Sequence, residues 1–378
     1  MKVAIDISQI AYTGSGVATY TENLVRSLLQ MDRNNQYLLF GISLRQIDVL
    51  TDFTSELKKK YSNVESKIVR LPQTLGNLVW NRYHVLDLGR FIGSADIFHS
   101  SDWIQPPIKG VKKVTTIHDL VVYKYPQISH PDIVATQKRR LYWVKKECDA
   151  IIADSVSTKR DILETLKVEP DKVTVVYPGI DSQFIPQDEE EFIRVRQKYN
   201  LPERYILFVG TREPRKNLQR LILAFDRFLR HPLVSSQNKE INLVLVGKTG
   251  WGQKLKNVRF VYPLGMVEKK DLPAIYSGAV FFVFPSLYEG FGLPILEAMA
   301  CGCPVITSNM GSLAEIASDC AIQIDPYDEE DISVKMVQLV IDQNLRKKII
   351  KRGFSQSERF KWEDAASKLL KIYESLIS

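Results

Sequence analysis

The residues with the most chemistry to offer in this 378-residue chain lie in the run Pro285-Ser286-Leu287-Tyr288-Glu289-Gly290-Phe291-Gly292-Leu293-Pro294-Ile295-Leu296-Glu297. An apolar stretch ends at Pro285 and a glycine-containing loop follows. Pro294 falls where a helix is expected to begin, because proline is accepted in a helix's first turn. Glu289 is then on the loop and Glu297 in the opening turns of the helix, which sets both carboxylates at a strand's carboxyl end near a positive helix terminus. Gly290 and Gly292 allow backbone N–H groups to come close to a ligand. The unit can offer amides to a phosphate or sugar oxygen and carboxylates to vicinal hydroxyls.

Three further groups carry chemistry. Val209-Gly210-Thr211-Arg212-Glu213-Pro214-Arg215-Lys216-Asn217 ends another apolar run with cations, which a diphosphate needs to hold it and to offset charge on a leaving group. Tyr12-Thr13-Gly14-Ser15-Gly16 lies between a strand and a helix, a geometry that suits a phosphate or sugar meeting backbone amides. Position 19 is Thr, so the G-x-G-x-x-G dinucleotide fingerprint is broken and a nicotinamide site is not expected. In Val114-Thr115-Thr116-Ile117-His118-Asp119-Leu120, His118 stands at a strand's carboxyl end, and His99 in Phe98-His99-Ser100-Ser101 belongs to a loop expected to shape an acceptor pocket. No two aspartates are two residues apart and no His/Cys/acid cluster has ligand spacing, so no metal is expected.

The E-x7-E spacing of Glu289 and Glu297, with Gly302-Cys303-Pro304-Val305-Ile306 after it, resembles the signature of the family-4 (group 1) retaining glycosyltransferases of the GT-B fold. The order of elements is similar to that family over essentially the whole chain, and Glu213-Pro214-Arg215-Lys216-Asn217 resembles its mannosyl- or rhamnosyltransferase-like subgroup. The resemblance implies retaining transfer of a hexose, mannose favoured, from a nucleotide-diphosphate sugar to a glycan or lipid-linked saccharide acceptor. GDP-mannose is the implied donor, with no cofactor and no metal, and the setting is polysaccharide or lipopolysaccharide assembly. By the same resemblance Glu297 holds the donor ribose hydroxyls. Glu289, with Ser286, Gly290 and the backbone of Phe291, Gly292 and Leu293, holds the transferred sugar. Lys216 meets the diphosphate, the Gly14–Gly16 loop lies over the diphosphate and acceptor, and His118 touches the sugar or the reacting centre. Catalytic roles fall on His118, Glu289 and Lys216. The family's arginine directly after the glycine is Thr211 here, so Arg212 or Arg215 takes the second cation's place. The implied mechanism is same-face attack with the donor phosphate taking the acceptor proton, which needs no carboxylate nucleophile. Alternative readings of the same residues are a nucleotide-sugar 2-epimerase or phosphorylase of similar fold, and a non-catalytic nucleotide-sugar-binding protein.

These residues must be held by an alternating pattern of apolar runs and amphipathic stretches. Residues 3–7, 37–41, 96–99, 114–118, 150–153 and 173–176 read as buried parallel strands, and a second series falls at 205–209, 241–246, 259–262, 280–284 and 305–307. Helices fit at 17–30, after Ser155, and near 217–230, 268–277 and 294–301. Two Rossmann-like, doubly wound α/β domains facing across a cleft are expected, an acceptor-side domain over 1–180 and a donor domain over 181–360. The turn-rich Tyr177–Asp181 and the acidic run Asp188–Glu191 read as the connection on which the domains close. A helix over 362–377 is expected to pack back on the first domain.

Apolar residues make up 45% and charged residues 25%, a globular balance. Asp6 comes too early for a signal-peptide core and no apolar run approaches about 18 residues, so a cytoplasmic protein that spans no membrane is expected. Of the net charge of +7, +5 lies in residues 1–180, where 24 Lys and Arg meet 19 Asp and Glu. Lys58-Lys59-Lys60 and Lys138-Arg139-Arg140, the latter followed by Tyr142, Trp143, Lys145 and Lys146, read as solvated helix faces or as peripheral contact with the inner face of a membrane. Nucleic acid is not expected, since no aromatic platform or helix-turn-helix pattern accompanies the charge. Cys148, Cys301, Cys303 and Cys320 lack paired spacing and read as reduced, buried thiols.

Overall fold

The protein is described by a computed structural model over residues 1–234, 240–251 and 259–378. It divides into two units: Met1–Gly179 with Lys361–Ser378, and Ile180–Phe360.

The first unit is built on seven strands: β1 Lys2–Asp6, β2 Gln36–Ile42, β3 Val64–Val69, β4 Ile97–Ser100, β5 Lys112–Ile117, β6 Ala150–Ala153 and β7 Val173–Val175. All pair in parallel, in the order β3-β2-β1-β4-β5-β6-β7. Parallel pairing requires crossovers and covered faces, which is why strands such as Ala150–Ala153 are continuous apolar runs. The helix Gly16–Met31 begins where the Ser15 hydroxyl accepts from Ala18 N at 3.2 Å. Its Tyr20, Leu24 and Leu28 share a core with Val3, Ile5 and Leu39, and with Trp362, Ala366, Leu369 and Tyr373 of the helix Trp362–Ile377. Gly179 lies against that helix's start so closely that a Cβ would sit 2.2 Å from Trp362 N.

The second unit carries β8 Tyr205–Val209, β9 Asn242–Val246, β10 Val261–Gly265, β11 Phe281–Phe284, β12 Val305–Ser308 and β13 Ile322–Ile324. They too are parallel, in the order β10-β9-β8-β11-β12-β13. In each unit the order reverses beside the first strand, between β1 and β4 and between β8 and β11, the place where open α/β sheets bind ligands outside the strands' carboxyl ends.

Some sequence expectations need correction and others hold. The edge strands β3 and β13 are additional, and the strand expected at 259–262 is Val261–Gly265. The acidic run Asp188–Glu191 is not a connection. Asp188 accepts from Glu191 N at 2.9 Å and caps the helix Glu189–Tyr199, where acids in the first turn favour the dipole. Lys58, Lys59 and Lys60 are the exposed last turn of the helix Ile47–Lys60. Arg140 is not a surface charge: it is 0% exposed on the helix Pro131–Glu147. Its guanidinium donates to Asp102 Oδ1 at 3.1 Å, Thr115 Oγ1 at 2.8 Å and Thr116 O at 2.9 Å. All four cysteines are free and buried.

Candidate active site

In the second unit the loop after β8 and the loop after β11 meet. Arg215 Nη1 donates to Glu289 Oε2 at 2.5 Å and Lys216 Nζ to Glu289 Oε1 at 2.6 Å. Arg215 also pairs with Glu213 at 2.7 Å. Burial would push the Glu289 carboxyl up, but the Arg215 and Lys216 charges and the Ser286 hydroxyl outweigh it and hold the pKa down to about 2. Lys216 is shifted down from the ordinary lysine value by its own burial and by Arg215.

The meeting is fixed by backbone. Leu287 N donates to Arg215 O at 2.8 Å. Asn217 sits at φ 61°, a left-handed conformation that asparagine tolerates better than most residues. From there its amide donates to Pro285 O at 3.1 Å and Pro326 O at 2.6 Å. Ser312 Oγ donates to Glu289 O at 2.7 Å. Gly292, at φ 115°, starts the helix Leu293–Ala300, and a Cβ there would come within 2.8 Å of Leu313.

On that helix Glu297 accepts from the Tyr276 hydroxyl at 3.1 Å. Burial raises its pKa to about 7 against the pull of Tyr276 and Lys269. The Phe291 side chain packs inward against Phe360, ring centres 5.6 Å apart, which leaves its backbone as the part on the loop. Of the two arginines left open by the sequence, only Arg215 joins Lys216 and Glu289; Arg212 Nη2 donates to Thr249 at 2.6 Å instead.

In the first unit Gly14, at φ 77°, and Gly16 lie in the exposed loop that opens the helix Gly16–Met31. His118 follows β5 and its Nδ1 is 2.6 Å from Asp154 Oδ2, at the end of β6. Burial disfavours charge on His118, but the Asp154 carboxylate outweighs it and lifts the pKa to about 9. Tyr20, one turn into the first helix, meets the imidazole edge-on at 4.6 Å and ties His118 to the glycine loop's helix. His99 does not shape a pocket: it is 5% exposed, 2.6 Å from Tyr373 Oη and 3.0 Å from Thr116 Oγ1. Burial and the His118 and Arg140 charges push its pKa down to about 3, so it is neutral.

The sequence assigns no site role to Asn217, Tyr276, Asp154 or Tyr20. Asn217 carried a signal, an asparagine directly before a helical pattern. The other three are brought in by tertiary packing, which local spacing does not report.

With carboxylates and cations at the carboxyl end of the second unit's Rossmann-like sheet, and a glycine turn and a histidine at that of the first, the class of protein is defined: the chain belongs to the family-4, group 1 glycosyltransferases and has their GT-B fold. Residues 14–184 match Glycosyltransferase Family 4 and residues 189–356 match Glycosyl transferases group 1. Among individual proteins, O-antigen chain mannosyltransferase B of Escherichia coli is 30% identical, with 100% of both chains aligned. The serotype-specific mannosyltransferase WbdA of Escherichia coli is 29% identical over 70% of this chain and 34% of its own length. The crystal structure of HepE from Anabaena in complex with UDP and glucose superposes with a TM-score of 0.71 at 16% identity, covering 99% of this chain and 100% of that one. The enzyme is therefore a glycosyltransferase. Among the described residues, no helix is long and apolar enough to cross a membrane.

Proposed function

We propose that this enzyme transfers mannose, with retention and without a metal, from GDP-mannose to a glycan or lipid-linked saccharide acceptor in O-antigen-type polysaccharide assembly. The observation that carries the reading is the convergence of Arg215 and Lys216 on Glu289 at the β8/β11 switch point, with Glu297 eight residues further on. Two fixed cations there suit a diphosphate and neutralise the leaving group, the work a metal does elsewhere. Glu297 accepts from the ribose hydroxyls. Glu289 and the Gly290–Leu293 backbone orient the sugar, and the mannosyl choice is supported by the full-length relative named as a mannosyltransferase.

In the proposed reaction the acceptor hydroxyl attacks from the face the diphosphate leaves, and a donor phosphate oxygen takes its proton. Glu289 is held by two cations at a pKa of about 2, which suits an electrostatic positioner better than a nucleophile. His118, in its pair with Asp154, donates to a sugar oxygen. Lys138, Arg139, Lys145 and Lys146, all exposed beside exposed Tyr142, support peripheral contact with an anionic membrane face.

The test is a panel of GDP-, UDP- and dTDP-sugars in EDTA, read by thermal shift and donor consumption, on wild type, Glu297→Ala and Lys216→Ala, with product anomers assigned by NMR. GDP-mannose should stabilise wild type alone and yield the α-product. An inverted product, a need for divalent cations, or a trapped glycosyl adduct on Glu289 would each overturn the corresponding part.

A further inference from the structure

The first unit holds a cavity of about 130 Å³ lined only by apolar residues, among them Phe40 and Ile42 of β2, Leu71, Leu75, Trp80 and Phe91. It is comparable to an apolar cavity of about 150 Å³ known to take benzene, so it has room for about five or six carbons. Cores are ordinarily packed without such space.

Its wall is held at some cost. The residues Asn77–Arg82 form a wide π-helical turn, a form concentrated at functional sites. Just beyond it His84 and Leu86 sit at φ 53° and 68°, a region that branched side chains rarely adopt. They are pinned there. Trp80 Nε1 donates to Leu86 O at 3.0 Å, His84 Nδ1 lies 2.8 Å from Trp80 O, and the His84 ring stacks on Trp143 at 3.6 Å. The result puts Leu86, 43% exposed, on the cavity lining together with Leu75, 41% exposed. Large aliphatic side chains half in water at the mouth of an apolar space are what a chain-binding site presents before it is filled.

Charge and position say which chain. Exposed Arg70, Arg82 and Arg90 each lie within two residues of a lining side chain, and Asp87 is the acid among residues 66–94. Gln73, between the lining residues Leu71 and Leu75, accepts from the Tyr12 hydroxyl at 2.7 Å, and Tyr12 opens the Gly14–Gly16 loop. The cavity is thus one short helical turn from the loop assigned above to the acceptor.

We propose that the cavity takes the first carbons of the lipid chain of a lipid-linked saccharide acceptor, with the surrounding arginines complementing the phosphates that join chain to sugar. This rests on the acceptor reading given under Proposed function and specifies it. The enzyme then selects its acceptor by chain as well as by sugar.

Calorimetric titration of the full-length protein with geranyl diphosphate, and with inorganic diphosphate as the chainless control, tests it without turnover. Geranyl diphosphate should bind at least about tenfold tighter, the gain expected from burying about two methylene groups. Val79→Phe, which fills the space, and Leu75→Gln, which wets its mouth, should each remove that preference while the donor-induced thermal shift stays intact. Equal affinity for the two anions, or an unchanged preference in both variants, overturns the proposal. So does binding only to phosphatidylglycerol vesicles without a chain preference in solution, which assigns the surface to general membrane contact. Transfer to methyl and decyl mannosides separates the two readings: if neither accepts sugar, the acceptor reading fails. If both accept it with the same KM in wild type, the chain site alone fails.

Discussion

Lys216 Nζ lies 2.6 Å from Glu289 Oε1, and the same carboxylate takes Arg215 on its other oxygen. Glu289 therefore pairs with both cations expected to meet a diphosphate, with Glu213 as the second acid on Arg215, and it does so in a nearly buried setting, with side-chain exposures of 9% for Lys216 and 10% for Glu289. In the proposed reaction a diphosphate would take over part of Glu289's role as partner to the two cations and leave the carboxylate to the sugar.

Replacing Glu289 by Gln takes the carboxylate from Lys216 and leaves Glu213 as the acid on Arg215. The loss should be about 3 kcal/mol of stability, the scale for breaking a buried ion pair from one side. Thermal unfolding should show it, and added GDP should raise the melting temperature of the variant more than that of wild type.

The two arginines should separate in donor binding. Arg215→Ala is expected to weaken nucleotide affinity at least about tenfold, as loss of a charge-assisted contact does. Arg212→Ala, which loses its bond to Thr249, should change it little. Titration with GDP reads both.

Donor affinity should follow the ionisation of Glu297. Its pKa of about 7 means that the carboxylate able to accept two ribose hydroxyls is the majority form only above that pH. Affinity should rise with pH by up to about tenfold per unit below 7 and level off near 8. The slope should vanish in Glu297→Gln, and Tyr276→Phe should move it to higher pH, because the tyrosine hydroxyl favours the ionised form.

His118 carries a raised pKa, about 9 against an ordinary 6.5, through Asp154. Since the folded state holds this proton more tightly than the unfolded, the stability it contributes is full below about pH 6.5 and is lost as pH rises through 9. Melting temperatures at pH 6 and pH 9.5 should differ less in His118→Gln than in wild type. In Asp154→Asn the imidazole should titrate well below 9 by NMR.

Arg140 and Arg139 are neighbours in sequence with opposite fates. Arg140→Leu strands Asp102 in the interior and should cost about 3 kcal/mol or more in chemical denaturation. Arg139→Ala, on the exposed face, should stay within about 0.5 kcal/mol.

That contrast shows where the sequence is readable. Buried central strands such as Ala150–Ala153 and Phe281–Phe284 are unbroken apolar runs and stand out, whereas β3, Val-Glu-Ser-Lys-Ile-Val, is an edge strand half in water whose charges hide it. Lys138-Arg139-Arg140 reads as a charge run because nothing local tells which member turns inward toward Asp102. The same holds at the site. The spacing of Glu289 and Glu297 follows from one loop and one helix and is legible, while the contact that distinguishes Arg215 from Arg212 is made with a loop more than seventy residues away. The burial of His99 is illegible for the same reason: its partner Tyr373 is 274 residues distant.

The chain leaves the first unit at Gly179 and returns to it at Lys361, so the helix that completes the first core is made after the whole of the second unit. At about 5–20 residues per second on the ribosome, roughly ten to forty seconds separate Gly179 from Trp362. Throughout that interval Tyr20, Leu24 and Leu28 lack the helix that covers them, while the second unit, one continuous stretch, is complete as soon as Phe360 emerges. The covering of the first core thus comes after the second unit is complete, and premature termination between Phe360 and Tyr373 yields a chain with the whole of the second unit and an incomplete first one.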